Sequence, residues 1–245
     1  MTIDSAARRW RVRAPVAGLA AAAMAATADL RAARDADQPP PPGQRSPLDA
    51  SRLPAAGTYQ LLRLQAAPDG EVLTSDGRRR RLHALLGGRS SVVSFIYTYC
   101  RDPEGCPLAW RTLETVHDLL LADPTLAASA QLVSLSFDPT NDTPEQMRLF
   151  GGQRARDPRV RWQFLTTASV RRLLPLLEGF GQEVTVETDA RGRPTRTLNH
   201  LLRIFLVDDE RQVREIYSVA TLAPEAIVND LRTLNMERGG AKATG

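Results

Sequence analysis

The chain has 245 residues, 42% of them hydrophobic, 24% charged and 5% aromatic, with a formal net charge of +4. That apolar content is enough for one core-forming domain with tails and excludes wholesale disorder. No stretch reaches the ~20 clean apolar residues of a spanning helix, which excludes a polytopic membrane protein, and two cysteines are too few for a disulfide scaffold or a four-thiolate zinc site.

Residues 1–28 have the layout of an export signal or short membrane anchor. Arg8, Arg9, Arg11 and Arg13 precede an alanine-rich run from Pro15 that ends in Ala26-Thr27-Ala28, a cleavage-like site. Those four arginines against Asp4 account for most of the net charge, leaving +1 for the remainder. Lys242 is the sole lysine, a bias that fits genome composition better than phosphate binding. Export to the periplasm, with the N-terminal segment as a tether to the inner membrane, is the expected location. Residues 29–57, with Pro39 to Pro42, Pro47 and Pro54, read as an extended proline-rich linker.

The folded part is expected over 58–236, with a flexible tail at 237–245. Tyr59–Leu64 and Glu71–Leu73 are short strand candidates, separated by a Pro68-Asp69-Gly70 turn. The run Arg78 to Arg81 lacks interleaved aromatics, so it reads as a solvated hairpin face rather than a nucleic-acid site. Ser91–Tyr97 is a buried-strand pattern, and Pro107–Leu121 is a helix with an apolar stripe of Leu113, Val116 and Leu120. Leu132–Phe137 is a second buried strand. Thr143-Pro144 caps and opens the next helix. Arg161–Leu165 (strand), Val170–Phe180 (helix), Leu201–Val207 and Val213–Tyr217 (a strand pair), and Pro224–Leu234 (helix) complete an alternating α/β order. Such an order predicts a central mixed sheet with helices on both faces, preceded by an N-terminal β-hairpin.

Cys100 ends a buried strand, and Cys106 stands just before Pro107, giving a C-x5-C loop between strand and helix. A cysteine at a helix N-terminus is expected to have a lowered thiol pKa, which suits both metal ligation and disulfide exchange. His200 follows a polar segment, Thr185–Asn199, that reads as a long exposed excursion, and its strand can neighbour the one ending at Cys100. Two soft thiolates with one imidazole suit Cu(I), or Cu(II) with an added ligand. His117, mid-helix beside the apolar stripe, reads as structural, and His83 has no evident partner. Asp138 and Asp142 read as turn and helix-start residues, while Asp102 and Glu104 hold the loop or meet a partner. With only Met147 and Met236 beyond residue 28, a methionine-rich copper relay is absent.

Ser94–Cys100 followed by Cys106-Pro107-Leu108, Leu135–Pro139 with Asp142-Thr143-Pro144-Glu145, and Asn199-His200 ahead of Phe205–Asp208 together resemble the Sco/SenC family. The resemblance implies a thioredoxin-like copper chaperone, carrying copper on Cys100, Cys106 and His200. It implies delivery to the dinuclear copper site of the copper-bearing subunit of cytochrome c oxidase, with other copper chaperones or thioredoxin-like reductants as further partners. This sequence departs from the family pattern in its C-x5-C spacing, where C-x3-C is usual, and in Leu201 after the histidine. The bland alternative is a static disulfide. The functional alternative is a thiol–disulfide oxidoreductase, in which Cys100 or Cys106 attacks a partner's disulfide. A peroxiredoxin motif is missing, since Val93 and Tyr97 stand where it needs Pro and Thr.

Overall fold

A computed structural model describes residues 53–100, 102 and 105–243. Residues 1–28, read as an export segment or short anchor, the stretch read as linker as far as residue 52, and Glu104 lie outside the described residues. Among the described residues no helix is long and apolar enough to cross a membrane.

Eight strands form the main sheet: β1 (Gln65–Ala66), β2 (Glu71–Thr74), β3 (Arg79–Arg81), β4 (Ser90–Ile96), β5 (Ala130–Ser136), β6 (Trp162–Thr166), β9 (Arg203–Val207) and β10 (Gln212–Ser218). Their order is β1-β10-β9-β4-β5-β6-β2-β3, and a separate two-stranded sheet pairs β7 (Val184–Thr188) with β8 (Pro194–His200). β4, β5 and β6 run parallel, whereas β9 lies antiparallel to β4 and β2 antiparallel to β6. The sheet is therefore mixed, as the alternation of elements predicts. The helices are α1 (Leu82–Leu86), α2 (Cys106–Leu121), α3 (Pro124–Ser129), α4 (Pro144–Gly151), α5 (Val170–Phe180) and α6 (Pro224–Ala243).

β4 and β5 are buried along their whole length, as parallel strands covered on both faces must be. Register sends Phe95, Leu135 and Leu165 to one face and Ser94, Ser134 and Phe164 to the other. On the first face Phe180 of α5 meets Phe95 and Phe205 with ring centroids 5.4 and 4.9 Å apart. On the second, Trp110 of α2 and Phe150 of α4 pack on Trp162 and Phe164 of β6. The serines and the glutamine on these strands are buried but satisfied: Ser94 Oγ lies 3.0 Å from Ser134 Oγ, Trp162 Nε1 donates to Ser134 Oγ at 3.1 Å, and Gln131 Nε2 donates to the Leu85 carbonyl at 2.7 Å.

Several boundaries differ from the sequence reading. Residues Tyr59–Leu64 form no strand; Leu64 only donates its N–H to the Val213 carbonyl at 2.9 Å, one step before β1. Ordered packing starts before Thr58, because the Gly57 N–H donates to Thr233 Oγ1 and Asn229 Nδ2 donates to the Pro54 carbonyl. At the other end, α6 runs through Met236 to Ala243, into the stretch read as tail. Its Glu237 is tied to the buried Arg214 guanidinium at 2.8 Å, a long-range pair that local sequence does not reveal.

A candidate metal centre

Where the parallel strands end, three chain segments converge. β4 stops at Ile96, and the chain turns so that the Cys100 N–H donates to the Tyr97 carbonyl at 3.2 Å. Gly105 caps α2, its N–H donating to the Asp102 carbonyl at 3.0 Å, with Pro107 in the first turn. A Cβ on Gly105 would lie 3.1 Å from Asp102 Oδ2, so this residue lets the five-residue loop close on itself. Cys106 is thereby the first residue of α2.

The third segment arrives from far along the chain. The stretch read as an exposed excursion is a β-hairpin, with Val184 paired to His200 and Thr185 to Asn199. Its alternation is hidden by polar, largely exposed side chains, which is why the sequence reads as loop. β8 hands on through Leu201 and Leu202 to β9, which pairs with β4, so His200 sits over the thiols. Its ring lies 4.5 Å from that of Phe137, which follows β5, and 6.0 Å from that of Tyr97.

One sulfur or nitrogen from each of Cys100, Cys106 and His200 lies within 4.8 Å of the others, and His200 Nε2 is 3.8 Å from Cys106 Sγ. Both cysteines are free thiols. Cys106 is buried; Cys100 and His200 are half-buried. His200 Nδ1 lies 3.3 Å from the Leu201 carbonyl, an arrangement in which Nδ1–H donates and Nε2 turns its lone pair toward the sulfurs. Burial depresses the histidine pKa, opposed by the Leu201 carbonyl and by Asp102, which favours the neutral ring that metal ligation needs.

The cysteine chemistry departs from expectation. Position at the helix N-terminus predicts a lowered pKa for Cys106, yet burial pushes this thiol well up, and the neighbouring Cys100 adds to the rise. Removing a thiolate from water outweighs the helix-end partial charge here. Without metal the Cys106 sulfur therefore keeps its proton at neutral pH, and a metal ion must displace it.

The loop is held from behind by two aspartates. Asp142, fully buried, accepts from the Thr98 N–H at 3.1 Å, the Thr98 hydroxyl at 2.6 Å and the Ser136 hydroxyl at 2.6 Å. Asp138 accepts from the Tyr99 hydroxyl and from Asn141 Nδ2. Burial raises the Asp138 pKa, but these hydrogen bonds outweigh it and the net shift is downward; for Asp142 burial wins and the net shift is upward. Asp138 keeps the turn role expected of it, its Oδ1 accepting from the Thr140 and Asn141 N–H groups. Asp142 does not cap the helix, which Thr143 does through the Gln146 N–H; it grips the residue two before Cys100 instead. The spacing of the D-P-x-x-D segment is the only sequence signal for this.

The other histidines stay outside the cluster. His117 is fully buried on α2, accepting at Nδ1 from Arg154 at 2.8 Å, and His83 finds a partner in the Ala67 carbonyl at 2.7 Å. Beside the thiols opens a cavity of about 500 Å³ lined by Tyr97, Tyr99, Cys100, Asp102 and Thr197 to His200. Asp102 is exposed at its mouth.

Comparison with known proteins bears directly on this arrangement. The family model SCO1/SenC matches residues 68–235, more than half of the chain and all three cluster residues. The chain belongs to the SCO1/SenC family. No curated protein matches it in a sequence search. Solved structures do: ScoI of Arabidopsis thaliana with copper bound is 16% identical with a TM-score of 0.57, over 70% of this chain and 99% of that one. ScoI of Bradyrhizobium japonicum, also with copper bound, is 20% identical with a TM-score of 0.55, over 68% and 98%. A third, BsSco, described as having a disulfide switch and as a member of the Sco family of cytochrome c oxidase assembly proteins, is 22% identical with a TM-score of 0.52, over 72% and 98%. These likenesses establish the thioredoxin-like fold of this Sco protein.

Proposed function

We propose that this Sco protein is an exported copper metallochaperone that carries one copper on Cys100, Cys106 and His200. Its recipient is the dinuclear copper site on the copper-bearing subunit of cytochrome c oxidase. The observation that carries the reading is the gathering of two thiol sulfurs and one imidazole nitrogen within 4.8 Å at the end of the sheet. Soft thiolates favour Cu(I), and a three-donor set leaves copper open to attack by an incoming ligand. Each residue has a separate task. Cys106 supplies a sulfur fixed by the helix, Cys100 a sulfur on the cavity wall, and His200 a neutral nitrogen whose orientation is set through Nδ1. The cavity beside Cys100 gives a recipient's ligands room to approach. Copper relatives of the same fold support the assignment of the metal. Residues 1–28 and the proline-rich stretch after them serve as export segment or anchor and as spacer, keeping the carrier near a membrane-bound recipient on the periplasmic side.

The test is transfer. Cu(I)-loaded protein is mixed with the metal-free soluble domain of the recipient subunit, separated, and copper is counted on each. Appearance of copper on the recipient, abolished by Cys100→Ser in the donor, is expected. Retention of all copper by the donor overturns the delivery step.

A second reading, thiol–disulfide oxidoreductase, draws on the closeness of the two free thiols. It predicts rapid reduction of a disulfide in the recipient subunit by copper-free protein. Tight copper binding with sluggish disulfide exchange favours the carrier.

A further inference from the structure

A second concavity, larger than the one beside the thiols, lies at the other end of the sheet. It has a volume of about 820 Å³ and opens where β4, β5 and β6 begin, whereas the thiols follow the strands' far ends. The hairpin of β2 and β3, Arg89, the end of α2, α3 and the segment before β6 form its walls. Its size falls in the range of ligand clefts.

The charge in this cleft is one-sided. Arg78, Arg80, Arg89, Arg159 and Arg161 line it, against Asp76 and Asp157. Both aspartates are already committed: Arg78 Nε lies 3.0 Å from Asp76, and Arg159 forks onto both oxygens of Asp157 at 3.0 and 2.8 Å. Arg80, Arg89 and Arg161 have no carboxylate partner among the described residues. Arg89 reaches only the Ala127 carbonyl at 3.2 Å, and Arg161 only Gln163 Oε1 at 3.4 Å.

The alternation of β3 explains how a run of four arginines comes to serve two surfaces. Arg79 and Arg81 are neutralised by Glu71 at 2.8 Å and Asp69 at 2.7 Å, while Arg80, between them, belongs to the cleft. The run read from sequence as a solvated hairpin face thus has two sides, one neutralised throughout and one on which Arg78 is paired with Asp76 and Arg80 has no carboxylate partner among the described residues. Beside the guanidiniums the accessible apolar floor of the cleft comes from Leu121, Pro124 and Pro158.

We infer that this cleft binds an extended acidic peptide segment of a partner protein. Guanidinium forks pair bidentately with carboxylates, and several such pairs around an apolar floor suit a strand alternating acidic and apolar residues. A bilayer presents a plane and would meet only the rim, and Trp162, at 4% exposed, offers no interfacial anchor. This inference rests on no part of the copper reading and stands or falls separately.

The probe is a short fluorescein-labelled peptide alternating glutamate and leucine, titrated with the full chain by fluorescence anisotropy. The expected result is saturable, salt-sensitive binding. The double variant R80E/R161E should weaken it at least ~10-fold, the milder R80Q/R161Q by less, and R171E/R172E, with the same change in net charge outside the cleft, hardly at all. Circular dichroism checks that each variant is folded. Equal loss in the two charge-reversed variants would overturn the inference, as would absence of peptide binding. Cleft-dependent binding to phosphatidylglycerol vesicles but not to the peptide would overturn it in favour of a lipid site.

Discussion

His117 shows how a buried titratable group ties stability to pH. The ring is fully buried, and its Nδ1 accepts from Arg154, which requires the neutral form. Burial depresses its pKa below the ordinary 6.5, and the neighbouring Arg154 charge adds to this, against the opposing pull of Asp118. A base with a depressed native pKa binds its proton more readily when unfolded. Its contribution is therefore complete above about pH 6.5 and is lost as the pH falls below that value, at up to ~1.4 kcal/mol per pH unit. Urea unfolding of wild type and His117→Gln at a series of pH values checks this. The stability gap between them should narrow on acidification, and a gap that widens or stays constant contradicts the assignment. This histidine's structural role was legible from its place beside the apolar stripe. The pKa of Cys106 was not, because the helix-end argument reads local position, while burial depends on the tertiary packing around the helix start.

Among the elements, the cysteine loop depends on what holds β4's exit as well as on its own Gly105 and Asp102. Asp142 joins Thr98 to Ser136 at the end of β5, so the carboxylate fixes the spacing of two strand ends just where the thiol loop departs. Asp142→Ala would leave three donors without their acceptor at ~1 kcal/mol or more each, so destabilisation of ~3 kcal/mol is expected. Copper affinity should drop with it even at temperatures where the variant is fully folded. A variant that loses stability but keeps wild-type copper affinity would show that the clamp serves the fold alone. The element pattern itself was largely readable: β4, β5, α2 and α5 fall within two residues of the positions their hydrophobic periodicity predicts. The β7–β8 hairpin was not, since its strands are mostly exposed and carry no core-facing alternation. Likewise α6 outruns its apolar pattern because Arg214 anchors it through Glu237.

For the whole molecule, the sheet brings residues 94 positions apart to one point. Parallel β4 and β5 with antiparallel β9 beside them put the exits of two strands and the entry of a third on the same edge. Sequence carried the donor types and their order; only the pairing of β9 with β4 turns that order into a cluster. The longer C-x5-C loop does not prevent convergence, since Gly105 and the Asp102 carbonyl close it. The opposite pole, rich in unpaired arginine, gives the protein a second working surface that leaves the thiols free. X-ray absorption of the Cu(I)-loaded protein reads the donor set of the metal cluster itself. The predicted spectrum has two sulfur donors and one imidazole nitrogen on a single copper per chain, with His200→Ala losing the imidazole scattering and each cysteine-to-serine change losing one sulfur. A spectrum that His200→Ala leaves unchanged, or one with no sulfur shell, would contradict it.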